Sequence, residues 1–233
     1  AVDKLQKRGK MIINPNEGLL ASLHEGEGRL PDVTNIMNGI RSLFEIPLPL
    51  KGKKVLVTAG PTREAIDPIR YISNRSTGKM GYAIAEKARD MGAEVLLISG
   101  PVSLSPIPEV KIDYIESAHE MKQSMIKHLP SIDYIFMVAA VADFSPADVA
   151  YNKIKRSNKN LKLDLKPAPD ILRSIRNKTK ALITAFALET QDGEKNAKIK
   201  LQKKGVDFMV LNYANEEDAG FDSSTNRVII FSK

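Results

Sequence analysis

A string of glycines and polar side chains follows the apolar run Val55-Leu56-Val57-Thr58: Gly60, then Arg63, Asp67, Arg70 and Asn74, then Ser76-Thr77-Gly78-Lys79-Met80-Gly81. A strand, a glycine turn, a polar loop and a glycine-rich helix start together can hold a phosphate. The first N–H groups of a helix have no partners inside it, and the helix dipole favours an anion there. Gly60, Ser76, Gly78, Lys79 and Gly81 are therefore candidate phosphate and substrate contacts. The loop is too long for a dinucleotide fingerprint, which closes in one tight turn, so its own side chains should carry recognition. Other polar residues follow other apolar runs: Asp143 after Ala139-Ala140-Val141-Ala142, Glu189 and Thr190 after Leu182–Phe186, and Asn212 after Phe208–Leu211. The small residues before Asp143 would let a ligand lie against backbone, although Asp143 reads equally as a turn or capping aspartate. Lys153 and Lys155 lie in the basic stretch Tyr151–Asn160, where solvated charge is the commoner reading. A site that gathers triphosphate charge would use such cations from a closing flap. Lys200 and Lys204, at i and i+4 of a helix, either snorkel over its apolar stripe or reach an anion. His24, His119 and His128 show no metal-ligand spacing, and Phe186 reads as core.

These residues need a scaffold, and Lys51 to Lys233 supplies one by alternating strands with helices. Apolar runs at Val55–Thr58, Glu94–Ser99, Tyr134–Val138, Leu182–Phe186, Phe208–Leu211 and Val228–Phe231 predict strands. Helical periodicity covers Gly78–Met91, Ala118–Leu129, Asp170–Arg176 and Glu194–Lys204. In the first helix Met80, Ile84, Ala88 and Met91 form the stripe expected to be buried. Gly92 and Gly205 stand where C-cap glycines belong. Leu161 to Leu165 alternates at period two and predicts a strand behind the basic flap. Near-continuous apolar strands between helices imply a Rossmann-like α/β fold: a mostly parallel sheet with helices on both faces, plus the flap. In such a sheet ligands sit beyond the carboxyl ends of the strands, and the polar residues that follow the apolar runs collect at that rim.

The chain has 233 residues, room for one large α/β domain and an appendage. No apolar run is long enough for a membrane helix, and the start has no apolar signal region. Opening on Ala1 suggests a trimmed chain. With no cysteine there are no disulfides, thiolate metal sites or cysteine nucleophile, which fits a cytoplasmic protein. The net charge of +7 suits either a solvated surface or a polyphosphate cleft. Aromatic residues are only 6% of the chain and Trp is absent, so nucleic acid is disfavoured as a partner, as is a membrane. Before Lys51 the character changes: Pro47-Leu48-Pro49-Leu50 is linker-like.

The motifs Ala59–Glu64, Asp67–Asn74, Ser76–Gly81, Ala139–Asp143 and Lys153-Ile154-Lys155 occur in order. Together they closely resemble phosphopantothenoylcysteine synthetase, the CTP-using coenzyme A enzyme usually fused to a flavin decarboxylase. Pro169–Leu172, Phe186–Thr190 and the Lys200/Lys204 pair extend the likeness over Lys53 to Lys233. The resemblance implies a ligase joining 4'-phosphopantothenate to L-cysteine through an acyl-cytidylate, with Mg²⁺ on the phosphates and a homodimeric state. It places CTP along Met137, Val138, Ala139, Asp143, Lys153, Pro169, Asp170, Ile171, Leu172, Phe186, Lys200 and Lys204. It also implies that Asn74 and Arg70 contact the acyl intermediate and that Lys153 assists its formation. Relatives in other lineages accept ATP. Residues 1–46 more weakly resemble the end of the fused decarboxylase and its linker, leaving 47–233 as the synthetase domain. That family carries a proton-donating cysteine where Ser22 stands, and the flavin-binding part is missing, so neither FMN binding nor decarboxylation is expected.

Two other readings compete. A nicotinamide-dependent reductase would need a compact G-x-G-x-x-G after the first strand and an acidic residue ending the second, but that strand runs into Ile98-Ser99-Gly100. A polyanion-binding module would show steeply salt-dependent RNA binding without nucleotide selectivity.

Overall fold

The computed structural model describes residues 2–19, 24–43, 48–156, 160–213 and 225–233. Ser22, and residues 157–159 of the basic stretch, lie outside the described residues. The chain divides into two compact units, Ala1–Leu48 and Pro49–Lys233. In the first, α1 (Val2–Lys7) precedes an antiparallel pair, β1 (Asn16–Leu19) and β2 (Glu25–Arg29), and then α2 (Val33–Leu43). Neither helix has a buried residue.

The second unit contains β3 (Lys54–Ala59), β4 (Arg63–Ala65), β5 (Tyr71–Ser73), α3 (Lys79–Asp90), β6 (Glu94–Ser99), β7 (Lys111–Tyr114) and α4 (Ala118–His128). It continues through β8 (Tyr134–Met137), β9 (Phe144–Pro146), β10 (Leu165–Pro167), α5 (Ile171–Ile175), β11 (Leu182–Glu189), α6 (Gly193–Lys204), β12 (Phe208–Tyr213) and β13 (Ile229–Ser232). Seven strands make one sheet in the order β13-β12-β11-β8-β3-β6-β7. All neighbours are parallel except β13, which runs back along β12. The expected Rossmann-like, mostly parallel α/β sheet is what forms.

Period-two alternation in the strands sorts the core into two layers. Val55, Val57 and Ala59 of β3 pack with Tyr82, Ala85 and Ala88 of α3. Leu56 faces the other way, in a cluster with Met121 and Met125 of α4, Ile171 and Ile175 of α5, and Ala197 and Leu201 of α6. The buried stripe of α3 differs from the expected one. Gly81, Tyr82, Ala85 and Ala88 are buried, whereas Met80, Ile84 and Met91 are only half-buried. Three of these four are small and let the helix approach β3 closely, as at Gly81 against Ala59. The strand expected at Leu161–Leu165 is also displaced, forming only over Leu165–Pro167 against β9. Leu161, Leu163 and Leu165 are all exposed, so their alternation has no core to face.

Chain order fixes where the sheet opens. From β3 the chain winds outward through β6 to β7, then returns to β8 on the other side and winds on through β11 to β12. The carboxyl ends of β3 and β8 therefore flank the topological switch point, where such sheets leave a crevice. Thr58 Oγ1 accepts the N–H groups of Val138 and Ala139, both at 3.1 Å. Gly60 O accepts from Ala140 N at 2.9 Å, so the two strand ends stay joined below the opening.

Three aspartates tie the unit together in their charged form. Arg70 holds the Asp67 carboxyl well below the ordinary carboxylate range. The Lys54 N–H lowers Asp133, and at Asp170 burial, which would raise the pKa, is outweighed by Lys204 and the Arg173 N–H. Burial lowers His128. A depressed carboxylate stabilises the fold above its unfolded pKa of about 3.9, and that stability is lost as pH falls below it. A depressed histidine acts in the same direction below about 6.5, because the unfolded chain then binds the proton more readily. The melting temperature should therefore slip between pH 7 and 5 and drop steeply between pH 4 and 3. Calorimetry finding it unchanged at pH 3 would contradict these pairings.

Candidate active site

A cavity of about 790 Å³ opens at the carboxyl rim, in the size range of small-molecule sites. One wall is the segment joining β5 to α3 and the first turn of that helix: Asn74, Ser76, Gly78, Lys79 and Gly81, with Gly60 from the end of β3. This close approach depends on glycine. Gly60 and Gly78 hold φ values of +74° and +80°, which favour a residue without Cβ. A Cβ on Gly81 would lie 2.5 Å from Ala59 Cβ. The helix start consequently presses against the strand end, turning its dipole toward the cavity.

The second wall is the small-residue run after β8, from Met137, Val138 and Ala139 to Asp143. Asn74 braces it: its Nδ2 donates to Ala140 O at 3.0 Å and to Val141 O at 3.1 Å. An amide engaged in this way has its acceptor oxygen left for a ligand, and donation to an acyl carbonyl would require giving up one brace. The Thr62 hydroxyl also accepts from Ala142 N at 3.0 Å.

Pro169, Asp170, Ile171 and Leu172 form the third wall, at the start of α5, where Asp170 caps the helix by accepting from Arg173 N at 3.1 Å. Facing them are Phe186 on β11 and Lys204 near the end of α6. Lys204 Nζ donates to the outer oxygen of Asp170 at 2.6 Å. A ligand phosphate would compete with that carboxylate for the same ammonium.

Three candidates lie off the walls. Lys200 Nζ pairs with Glu189 at 2.6 Å, and that carboxylate also accepts from Asn196 at 3.1 Å. Arg70 is paired with Asp67 and donates to Ile154 O at 2.8 Å. Lys153 is exposed on the long loop between β9 and β10. The cavity gains residues that periodicity did not single out, among them Ala168 and Asn226. Asn226 had a usable signal in topology: β13 is antiparallel, so the residues just before it stand at the carboxyl rim of β12. Read as another parallel strand, that segment would have placed them at the opposite rim. Among the described residues no three His, Asp and Glu side chains gather to hold a metal, and no helix is long and apolar enough to cross a membrane.

The family model described as "DNA/pantothenate metabolism flavoprotein C-terminal domain" matches residues 50–233. The chain belongs to this family. It is 44% identical over its whole length to the coenzyme A biosynthesis bifunctional protein CoaBC of Bacillus subtilis, and spans 58% of that relative. Among solved structures, the C-terminal domain of a CoaBC protein superposes with a TM-score of 0.67 at 40% identity, over 79% of this chain and 83% of that one. A mutant of Cab2, crystallised with phosphopantothenate-cysteine, superposes with a TM-score of 0.65 over 87% of this chain and 85% of that one; at 19% identity it shares the fold. The region matched by the flavoprotein-family model contains every wall of the cavity.

Proposed function

We propose that this chain is the ligase that joins 4'-phosphopantothenate to L-cysteine in coenzyme A biosynthesis, with CTP as the activating nucleotide. The observation that carries the reading is the single cavity in which a helix-start anion site faces the Lys204/Asp170/Phe186 wall across the switch point. A cavity of this size has room for a nucleotide beside an organic acid. Support also comes from the likeness to CoaBC and from the phosphopantothenate-cysteine held by the Cab2 mutant.

A free carboxylate does not acylate an amine, because oxide would have to leave. Attack of the phosphopantothenate carboxylate on the α-phosphate of CTP forms a C–O–P linkage and expels pyrophosphate. The cysteine amine then attacks the activated carbonyl, loses a proton, and displaces CMP. Lys153 supplies positive charge as carboxylate and triphosphate approach, for which its ammonium must move in from its exposed position. Lys204 and the α3 start bind phosphate oxygens, Phe186 lies against the base, and the backbone of Met137 to Ala139 reads the nucleotide. Asn74 and Arg70 act on the acyl intermediate. Asp143, exposed on the wall, would help hold a Mg²⁺ carried on the nucleotide's phosphates, and the ion would supply charge neutralisation there.

The active form in this reading is a homodimer. Ile69, Tyr71, Phe144 and Tyr151 are exposed by 47–92% around the β4–β5 and β9–β10 hairpins, an apolar surface that a second copy would cover. Mass detection of phosphopantothenoylcysteine, with CTP, ATP, UTP and GTP supplied separately, tests the whole reading. Product should form fastest with CTP, and absence of product with every nucleotide would refute it.

A further inference from the structure

Asp67 lies in the turn between β4 and β5, with its side chain fully buried. Its Oδ1 accepts the N–H groups of Ile69 and Arg70, each at 2.9 Å. Those two bonds close the turn itself, a common use of aspartate. Oδ2 reaches elsewhere. It accepts from Arg70 Nε at 3.0 Å, from Arg70 Nη2, and from Ile154 N at 3.0 Å. Arg70 Nη2 also donates to Ile154 O at 2.8 Å. Both backbone polar groups of one residue in the β9–β10 loop are thus taken by a side-chain pair far upstream in sequence. Ile154 is half-buried, and its neighbours Lys153 and Lys155 are exposed.

We propose that Asp67 is a positioning residue: through Oδ2 and Arg70 it clasps Ile154 and sets where Lys153 is presented to the reaction. The proposal rests on the reading of Lys153 given above. Oδ1 serves the turn alone while Oδ2 joins Arg70 to the loop, and turn closure alone leaves the Oδ2 contact to Ile154 without a purpose. A lysine on a long loop has many positions to choose among, and fixing the adjacent backbone removes most of them. One further bond, from Ala150 N to Ile66 O at 3.0 Å, pins the same loop a turn earlier, so the segment is held at two points. The paired carboxyl is depressed by Arg70 and stays charged across the neutral range, keeping the clasp ionic wherever the enzyme works.

Asp67→Asn separates the two halves of the carboxylate. The amide oxygen can still close the turn, but an N–H₂ group then faces the donors of Ile154 and Arg70. Ile154→Pro is the second variant: it removes the loop's donor while leaving Asp67 and Arg70 paired, and it serves if the first variant fails to fold. In both, trypsin should cut after Lys155 at least about tenfold faster than in the parent, as read by mass spectrometry, because cleavage follows the population of the released loop; the bond after Lys153 is not compared, since trypsin does not cut before proline. The kcat should fall by about 10²-fold, the effect of an ångström-scale misplacement, with the KM for nucleotide little changed. Unchanged cleavage in both variants would overturn the clasp. Faster cleavage with kcat intact would overturn its positioning role. A parent that forms no phosphopantothenoylcysteine would sink the functional reading and the catalytic half of this proposal, while the cleavage ratio would still decide whether the clasp exists.

Discussion

Replacing Lys153 with glutamine should lower the rate of pyrophosphate release by about 10²–10³-fold, the usual loss when one donor to developing negative charge is removed. Carboxylate attack on a triphosphate brings like charges together, so the barrier is electrostatic and a cation lowers it more than a neutral amide can. The fold should be untouched, because Lys153 is exposed and its loop is held at Ile154 by backbone groups. Nucleotide affinity should change much less than turnover, since Lys153 is not on the cavity wall. Single-turnover assays with CTP and phosphopantothenate, with cysteine omitted, isolate the step. Near-parental pyrophosphate release would remove Lys153 from the mechanism.

Gly100→Ala should be the most damaging small substitution at the site, and it acts without touching a ligand. A Cβ there would lie 1.8 Å from Pro61 O and 2.9 Å from Pro61 C, so backbone rather than a side chain has to give way. Gly100 N also donates to Ala59 O at 2.9 Å, which ties the end of β6 to the end of β3. Forcing them apart shifts Gly60 with Gly78 packed on it, and Ala59 beneath Gly81 of α3. Overpacking costs of about 3 kcal/mol or more apply where the neighbour cannot rotate aside, a fall of about 6–12 °C in melting temperature for a unit of this size. A thermal melt within about 2 °C of the parent would show that the strand ends are not in close contact.

The long apolar strands and the amphipathic helices were legible in the sequence because burial on both sheet faces forces near-continuous β-branched runs between periodic segments. β7 was not legible: Lys111-Ile112-Asp113-Tyr114 is an edge strand with charges on it, and nothing local separates it from a loop. The hairpins β4–β5 and β9–β10 are equally short and hold together through side chains such as Asp67 rather than through propensity. At the site, the glycines of the α3 start and the small run before Asp143 could be located because residue type alone reports close backbone approach. Partners could not be read in the same way. That Asn74 spends its N–H groups on Ala140 and Val141, that Lys200 turns to Glu189, and that Arg70 faces Asp67 all depend on contacts between segments distant in sequence.

The reversed direction of β13 has a practical outcome for handling the protein. Running against β12, it carries Lys233 back to Asp207, to which it is joined by a 3.7 Å ion pair and a 3.4 Å main-chain bond. Whatever is fused behind Lys233, an affinity handle or a surface tether, leaves from the end of the sheet opposite the mouth. Immobilisation through that end keeps the entrance unobstructed for ligand-capture measurements.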